Sequence, residues 1–183
     1  MQLYLIRHPQ PDVREGMCYG ASDLPLRDSE ENLQALAASI RAQLPEDLTV
    51  YTSPLTRCRL LAEALHPAPL SDTRLREMDF GAWEMHAWDE IDRDTLTAWA
   101  SNPTGFTPPQ GESAAQLQAR VHDFLAELEA QRKLSQSADQ LALVTHAGVM
   151  KVIIGLAHGM APAEWMRLKF DFASVVTVNL SAG

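Results

Sequence analysis

Cysteine and positive charge are both scarce in this chain of 183 residues. Cysteine occurs only at Cys18 and Cys58, too few for a disulfide framework and at a spacing that fits no zinc motif. Both read as reduced thiols. Lys and Arg together number 15 against 24 Asp and Glu, a formal net charge of −9. That removes the basic footprint a general nucleic-acid binder needs. No stretch approaches the roughly 20 apolar residues that span a bilayer. The opening residues Met1 to Arg7 lack a charged region followed by a long apolar run, so they do not read as a secretory leader. The cytoplasm is the expected compartment, with no membrane partner. Internal repeats and low-complexity tracts are missing too. What remains is 46% hydrophobic and 21% charged, ordinary values for a soluble chain. One domain over residues 1–183 is expected.

Apolar runs and helical stripes alternate along the chain. Leu3–Ile6, Leu48–Thr52, Ala68–Asp72, Leu141–Thr145 and Val175–Leu180 read as short strands, several continuously apolar as in a sheet buried on both faces. Between them, Ser29–Leu44, Ser53–Leu65, Trp88–Trp99, Ser113–Arg132 and Ala147–Ala157 carry helical patterns. Ser53 is the expected N-cap of the second helix, with Pro54 at its first position. Ser113 and Gln116 have capping-box spacing. The segment Arg74–Glu84 reads as irregular. The alternation predicts an α/β fold: a mostly parallel central sheet in a three-layer α/β/α sandwich.

In open α/β sheets, ligands bind beyond the carboxyl ends of the strands. Three of the expected strands deliver polar groups there: Arg7-His8 after the first, Ser53-Pro54-Leu55-Thr56-Arg57 after the second, and His146-Ala147-Gly148 after the fourth. Glu77 comes from the irregular segment. Arginine offers phosphate a planar fork of donors and keeps its charge at neutral pH. Neutral imidazole is a competent nucleophile. A carboxyl group can protonate a leaving oxygen and then take a proton from water. Phosphoryl transfer demands mainly positioning and charge neutralisation, which Arg7, Arg57 and a protonated His146 would supply without a metal or other cofactor. His66, His86, His122 and His158 show no ligand spacing and read as structural.

These segments, with Leu75-Arg76-Glu77, Gly81-Ala82-Trp83-Glu84 and Gly111-Glu112-Ser113, stand in the order found in the histidine phosphatase superfamily. The chain resembles that family, with its phosphoglycerate-mutase-like fold, from Leu3 to about Ile154. The resemblance implies that His8 carries the phosphoryl group, that Arg7, Arg57 and His146 bind it, and that Glu77 is the proton donor. The Gly111-Glu112-Ser113 stretch reads as a helix start rather than a ligand. Tyr19 and Trp83 are candidate contacts for an aromatic leaving group.

The chain also departs from the family pattern. Pro9 stands where Arg-His-Gly is usual, and Pro11 where a threonine hydroxyl would meet phosphate. Met85 replaces a glycine often seen after Glu84. The stretch Tyr19–Leu26 and the compact length are similar to the α-ribazole phosphatase branch. That likeness implies a small phosphomonoester substrate, α-ribazole 5′-phosphate of cobalamin biosynthesis. Mutase-type phosphoryl transfer, phosphoprotein dephosphorylation and a catalytically silent phosphate-binding module are the alternatives. Oligomeric state is not readable from the chain.

Overall fold

The computed structural model describes residues 1–135 and 140–180. Five strands form one sheet: β1 (Gln2–Arg7), β2 (Thr49–Thr52), β3 (Leu70–Ser71), β4 (Gln140–Thr145) and β5 (Val175–Asn179). Their spatial order is β3-β2-β4-β1-β5. All run parallel except β5, which pairs antiparallel with β1 at the edge. Side chains alternate across the sheet. Leu3, Leu5, Leu141 and Leu143 enter one core, beneath α4 (Ala114–Ser135) and α5 (Ala147–His158). Ile6, Val50, Ala142 and Val144 enter the other, beneath α1 (Glu30–Arg41) and α2 (Thr56–Leu65). Helices therefore cover both faces of a mostly parallel sheet, as the alternation predicts.

Register decides where the functional residues meet. Arg7 pairs with Thr145, and Thr52 with Val144, so β1, β2 and β4 end level. The chain continues in step just beyond. His8 N–H donates to Thr145 O and Ser53 N–H to Val144 O, both at 3.0 Å. Three loops thus leave one edge of the sheet side by side.

Two helix starts differ from the sequence expectation. α2 begins at Thr56, with Leu55 as its cap residue, so Ser53 and Pro54 lie outside it. The carboxylate of Asp23, from a distant loop, takes the Thr56 N–H at 2.7 Å and its hydroxyl at 2.8 Å. α3 (Arg93–Ser101) starts later than Trp88 because Asp92 caps it, accepting the Thr95 N–H at 2.9 Å. Two single 3₁₀ turns, Thr73–Leu75 and Gly81–Trp83, punctuate the irregular segment. A short helix, α6 (Pro162–Trp165), follows α5 and was not legible in the hydrophobic pattern.

The prolines beside His8 are accommodated by backbone pairing. Asp12 N–H donates to Pro25 O at 2.8 Å, Arg27 N–H to Gln10 O at 3.1 Å, and Pro11 bridges Leu26. No bond in this ladder needs a proline N–H. Met85 is another matter: its φ is +64°, in the left-handed region, while its side chain is exposed. An L-residue held there costs roughly 1–2 kcal/mol. Met85→Gly should therefore raise the unfolding free energy by about 1 kcal/mol, or Tm by roughly 2–4 °C. A lower urea midpoint in the variant would contradict the strain.

Candidate active site

His8 sits at the end of β1, 2% exposed. Its Nδ1 lies 2.6 Å from Pro9 O. A carbonyl only accepts, so Nδ1 carries the proton and Nε2 keeps its lone pair. Burial, then the charges of Arg57 and Arg7, push the His8 pKa down to about 3, against the Pro9 bond that favours protonation. The ring is neutral through the whole physiological range.

Arg57, one residue into α2, is completely buried. Its Nη1 donates to Ser22 O at 2.7 Å and its Nη2 to Gly20 O at 2.5 Å. The same loop is held from the other side by Glu84, whose carboxylate accepts Ala21 N–H at 2.7 Å, Ser22 N–H at 2.5 Å, the Ser22 hydroxyl and Phe80 N–H at 3.0 Å. Burial works against that charge, but the donated hydrogen bonds outweigh it and hold the carboxyl below its ordinary value. Sequence reasoning gave Glu84 no such role, although it closes the Gly81-Ala82-Trp83-Glu84 motif. With Asp23 capping α2, residues 20–23 and the start of α2 clamp one another.

Arg7 Nη1 donates to Phe170 O at 2.5 Å, and its guanidinium carbon lies 3.9 Å from the Phe172 ring centroid. The Phe172 ring is also 5.6 Å from that of His8. Ala173 N–H donates to His8 O at 3.2 Å. The segment before β5 therefore straps the Arg7-His8 pair by backbone and by ring. Phe172 was missed from sequence, since nothing local marks it. The Nε atoms of Arg7 and Arg57 are buried with no protein partner among the described residues. An anion brought between them would satisfy both donors.

His146 ends the third arm, fully buried, its ring 5.0 Å from that of His8. Nε2 lies 2.8 Å from Ser53 Oγ. Ser53, expected to cap α2, instead holds this histidine. The chemistry would accept a protonated His146, but the sequence alone does not fix its resting charge. Burial, the neighbouring His8 and the charges of Arg57, Arg120 and Arg7 drive its pKa well below the ordinary value, so it rests neutral.

Glu77 is half-buried at the start of α5, where its Oε2 accepts Gly148 N–H at 3.1 Å. A methyl group on Gly148 would overlap Glu77 Oε1, so only glycine lets the carboxylate approach this helix. The stretch of chain bearing Glu77 is fixed by Arg120. That guanidinium donates to the carbonyls of Arg74, Arg76 and Glu77 while pairing with both oxygens of Glu112. Gly111-Glu112-Ser113 thus serves structure: Ser113 and Gln116 form the expected capping box, and Glu112 anchors Arg120.

The two candidate aromatic contacts part company. The Tyr19 ring lies 5.7 Å from the Arg57 guanidinium carbon and lines a cavity of about 410 Å³ that Phe172 also lines. Trp83 is 5% exposed, stacked on Phe106 and packed edge-on against Trp88 and Trp99. Its faces are taken by protein rings, so the structure does not offer it to a leaving group.

Residues 3–183 match the family model described as Histidine phosphatase superfamily (branch 1). The adenosylcobalamin/alpha-ribazole phosphatase of Salmonella typhimurium is 26% identical over 100% of this chain and 92% of its own. The glucosyl-3-phosphoglycerate phosphatase of Mycobacterium tuberculosis is 29% identical over 91% and 79% respectively. The crystal structure of a phosphoglycerate mutase from Thermus thermophilus superposes with a TM-score of 0.72 at 32% identity, covering 98% of this chain and 93% of that one.

Two buried neutral histidines make stability pH-dependent. For each, the folded pKa lies below the unfolded value of about 6.5, so the unfolded chain binds protons first. The contribution is complete above that pH and is lost as pH falls toward the folded value, about 3 for His8. Between pH 6 and 5, each histidine should lower the unfolding free energy by up to about 1.4 kcal/mol per pH unit. His8→Gln should remove one such increment from the slope of urea-derived free energy against pH. An unchanged slope would mean that His8 is already charged in the folded protein.

Proposed function

We propose that this chain, which belongs to the histidine phosphatase superfamily, is a phosphomonoester hydrolase that forms a phosphohistidine on His8 and acts on a small phosphorylated metabolite. The observation that carries the reading is the neutral His8 ring with its proton fixed on Nδ1, set between two guanidiniums whose Nε donors have no protein partner among the described residues. Nε2 is left as a lone pair in an anion-binding pocket.

The reaction runs in two steps. In the first, Nε2 attacks phosphorus; the N–P bond forms and the P–O bond to the leaving group breaks. Glu77 gives its proton to the departing oxygen. Arg7 and Arg57 neutralise the equatorial oxygens, which places metal-independent transfer within reach of the side chains alone. The positive end of α5, which begins at Ala147, adds to that field. Neutral His146 takes part as a hydrogen-bond donor rather than as a fixed cation. In the second step water attacks phosphorus, the N–P bond breaks and returns its electrons to His8, and the Glu77 carboxylate takes the water proton.

The α-ribazole 5′-phosphate reading rests on the Tyr19–Leu26 stretch and on the likeness to the Salmonella typhimurium enzyme. Phosphate release from that ester and from 4-nitrophenyl phosphate, in chelator, tests both levels. Wild type should turn over both, with the ratio of kcat/KM reporting on the branch. His8→Ala should lose at least about three orders of magnitude on each, and wild type quenched in alkaline denaturant should show a base-stable, acid-labile phosphoryl group that the variant lacks. Retained turnover in His8→Ala would sink the mechanism.

Glu77→Gln should lower kcat/KM for alkyl phosphates by roughly 10²–10⁴-fold and spare that of the nitrophenyl ester, whose leaving group needs no proton, while kcat, which includes the shared water-attack step, falls for both. Gly148→Ala should copy that pattern, because its methyl group displaces Glu77. Equal losses in kcat/KM on both esters would assign these residues to something other than leaving-group protonation.

A further inference from the structure

The cavity of about 410 Å³ beside the phosphoryl pocket has an unexpected wall for a chain of net charge −9. Two guanidiniums, Arg14 and Arg27, line it, against one carboxylate, Glu15. Among the described residues neither guanidinium forms an ion pair. Arg14 Nη2 meets the Met17 thioether at 3.4 Å, a weak acceptor, and Arg27 Nη2 meets Val13 O at 3.2 Å. Most of each donor fork is open. The cavity borders the site through two of its lining residues, Tyr19 and Phe172, whose rings lie against Arg57 and Arg7. Its volume falls within the range of small-molecule sites, and is generous for a leaving group of three carbons.

A ligand with its phosphoryl group at His8 would lay its next atoms between the Tyr19 and Phe172 rings and its far end near Arg14 and Arg27. Resting on the hydrolase reading above and not on its α-ribazole form, whose leaving group has no second anion, we infer that this cavity is a leaving-group subsite selective for phosphomonoesters whose leaving group joins a planar ring to a second anionic group. The rings supply flat apolar faces, and the two guanidiniums outweigh Glu15 by one charge. Specificity on this account comes from Arg14 and Arg27, residues outside the motifs that build the phosphoryl pocket.

Two matched esters test it: 4-carboxyphenyl phosphate and 4-carbamoylphenyl phosphate, alike in shape and differing in one charge. Wild type at low salt should prefer the carboxylate by about tenfold in kcat/KM, as one charge-assisted contact warrants. The preference should shrink toward one in about 0.5 M salt, since these arginines are exposed. Arg14→Gln with Arg27→Gln should bring the ratio to within about twofold of one, and Glu15→Gln, a separate surface change, should raise it. Equal turnover of the two esters by wild type, or a ratio untouched by the double variant, overturns the subsite and leaves the hydrolase reading standing. No phosphate from either ester overturns the hydrolase reading itself.

Discussion

A guanidinium with no exposed surface must be solvated by protein, and the arrangement around Arg57 follows from that requirement. Its charge is met by the carbonyls of Gly20 and Ser22 rather than by a carboxylate. A buried carboxylate partner would cancel the field that an anionic ligand needs; carbonyl dipoles hold the side chain while leaving its full charge in place. Those carbonyls can be offered only if residues 20–23 are held rigid. Glu84 does this by collecting four donors from the loop and its flank, and Asp23 returns the constraint to α2. The loop, the helix and the 3₁₀ turn before Glu84 form one mutually dependent assembly around a single cation.

The same cation settles the histidines. Two imidazoles 5.0 Å apart, with Arg57 and Arg7 beside them, could both be charged only at great cost in a dry pocket. Both stay neutral, and each then needs a defined tautomer. Pro9 O defines it for His8, and Ser53 orients His146. The carboxylate is held at the N-terminal end of α5 by a glycine that permits close approach and an arginine clamp that fixes the chain bearing it. Carboxylate, imidazoles and guanidiniums are thus positioned by separate devices.

Much of this was legible in the chain. Apolar runs followed at once by Arg7-His8, Ser53 to Arg57 and His146-Ala147-Gly148 are local signals, and a parallel sheet converts such local signals into a shared edge. The contributions of Phe172, Glu84 and Arg120 were not legible. Phe172 lies far from Arg7 along the chain, and a single aromatic residue between Asp171 and Ala173 carries no periodicity to betray it. Glu84 and Arg120 act on backbone groups, which look alike at every position in a sequence. Ser53 misled for a related reason: Ser-Pro is a good helix start, and only the arrival of His146 from another strand assigns the hydroxyl elsewhere. Trp83 showed the reverse error, a ring conspicuous in sequence that the fold encloses among Trp88, Trp99 and Phe106.

The strap over Arg7 and His8 is drawn from residues 170–174, and the Arg7-to-Phe170 bond spans 163 positions. β1 itself pairs only with β4 and β5, both late in the chain. During synthesis from the N-terminus, His8 is therefore among the first residues to emerge and among the last to be housed. Until β4 is available, β1 is an unpaired apolar strand with two open edges, a template for wrong pairing. Closing so long a loop is slow compared with local helix formation. The site is in this sense a property of the finished chain, and a product truncated before β5 would display every motif residue yet hold Arg7 and His8 without their cover.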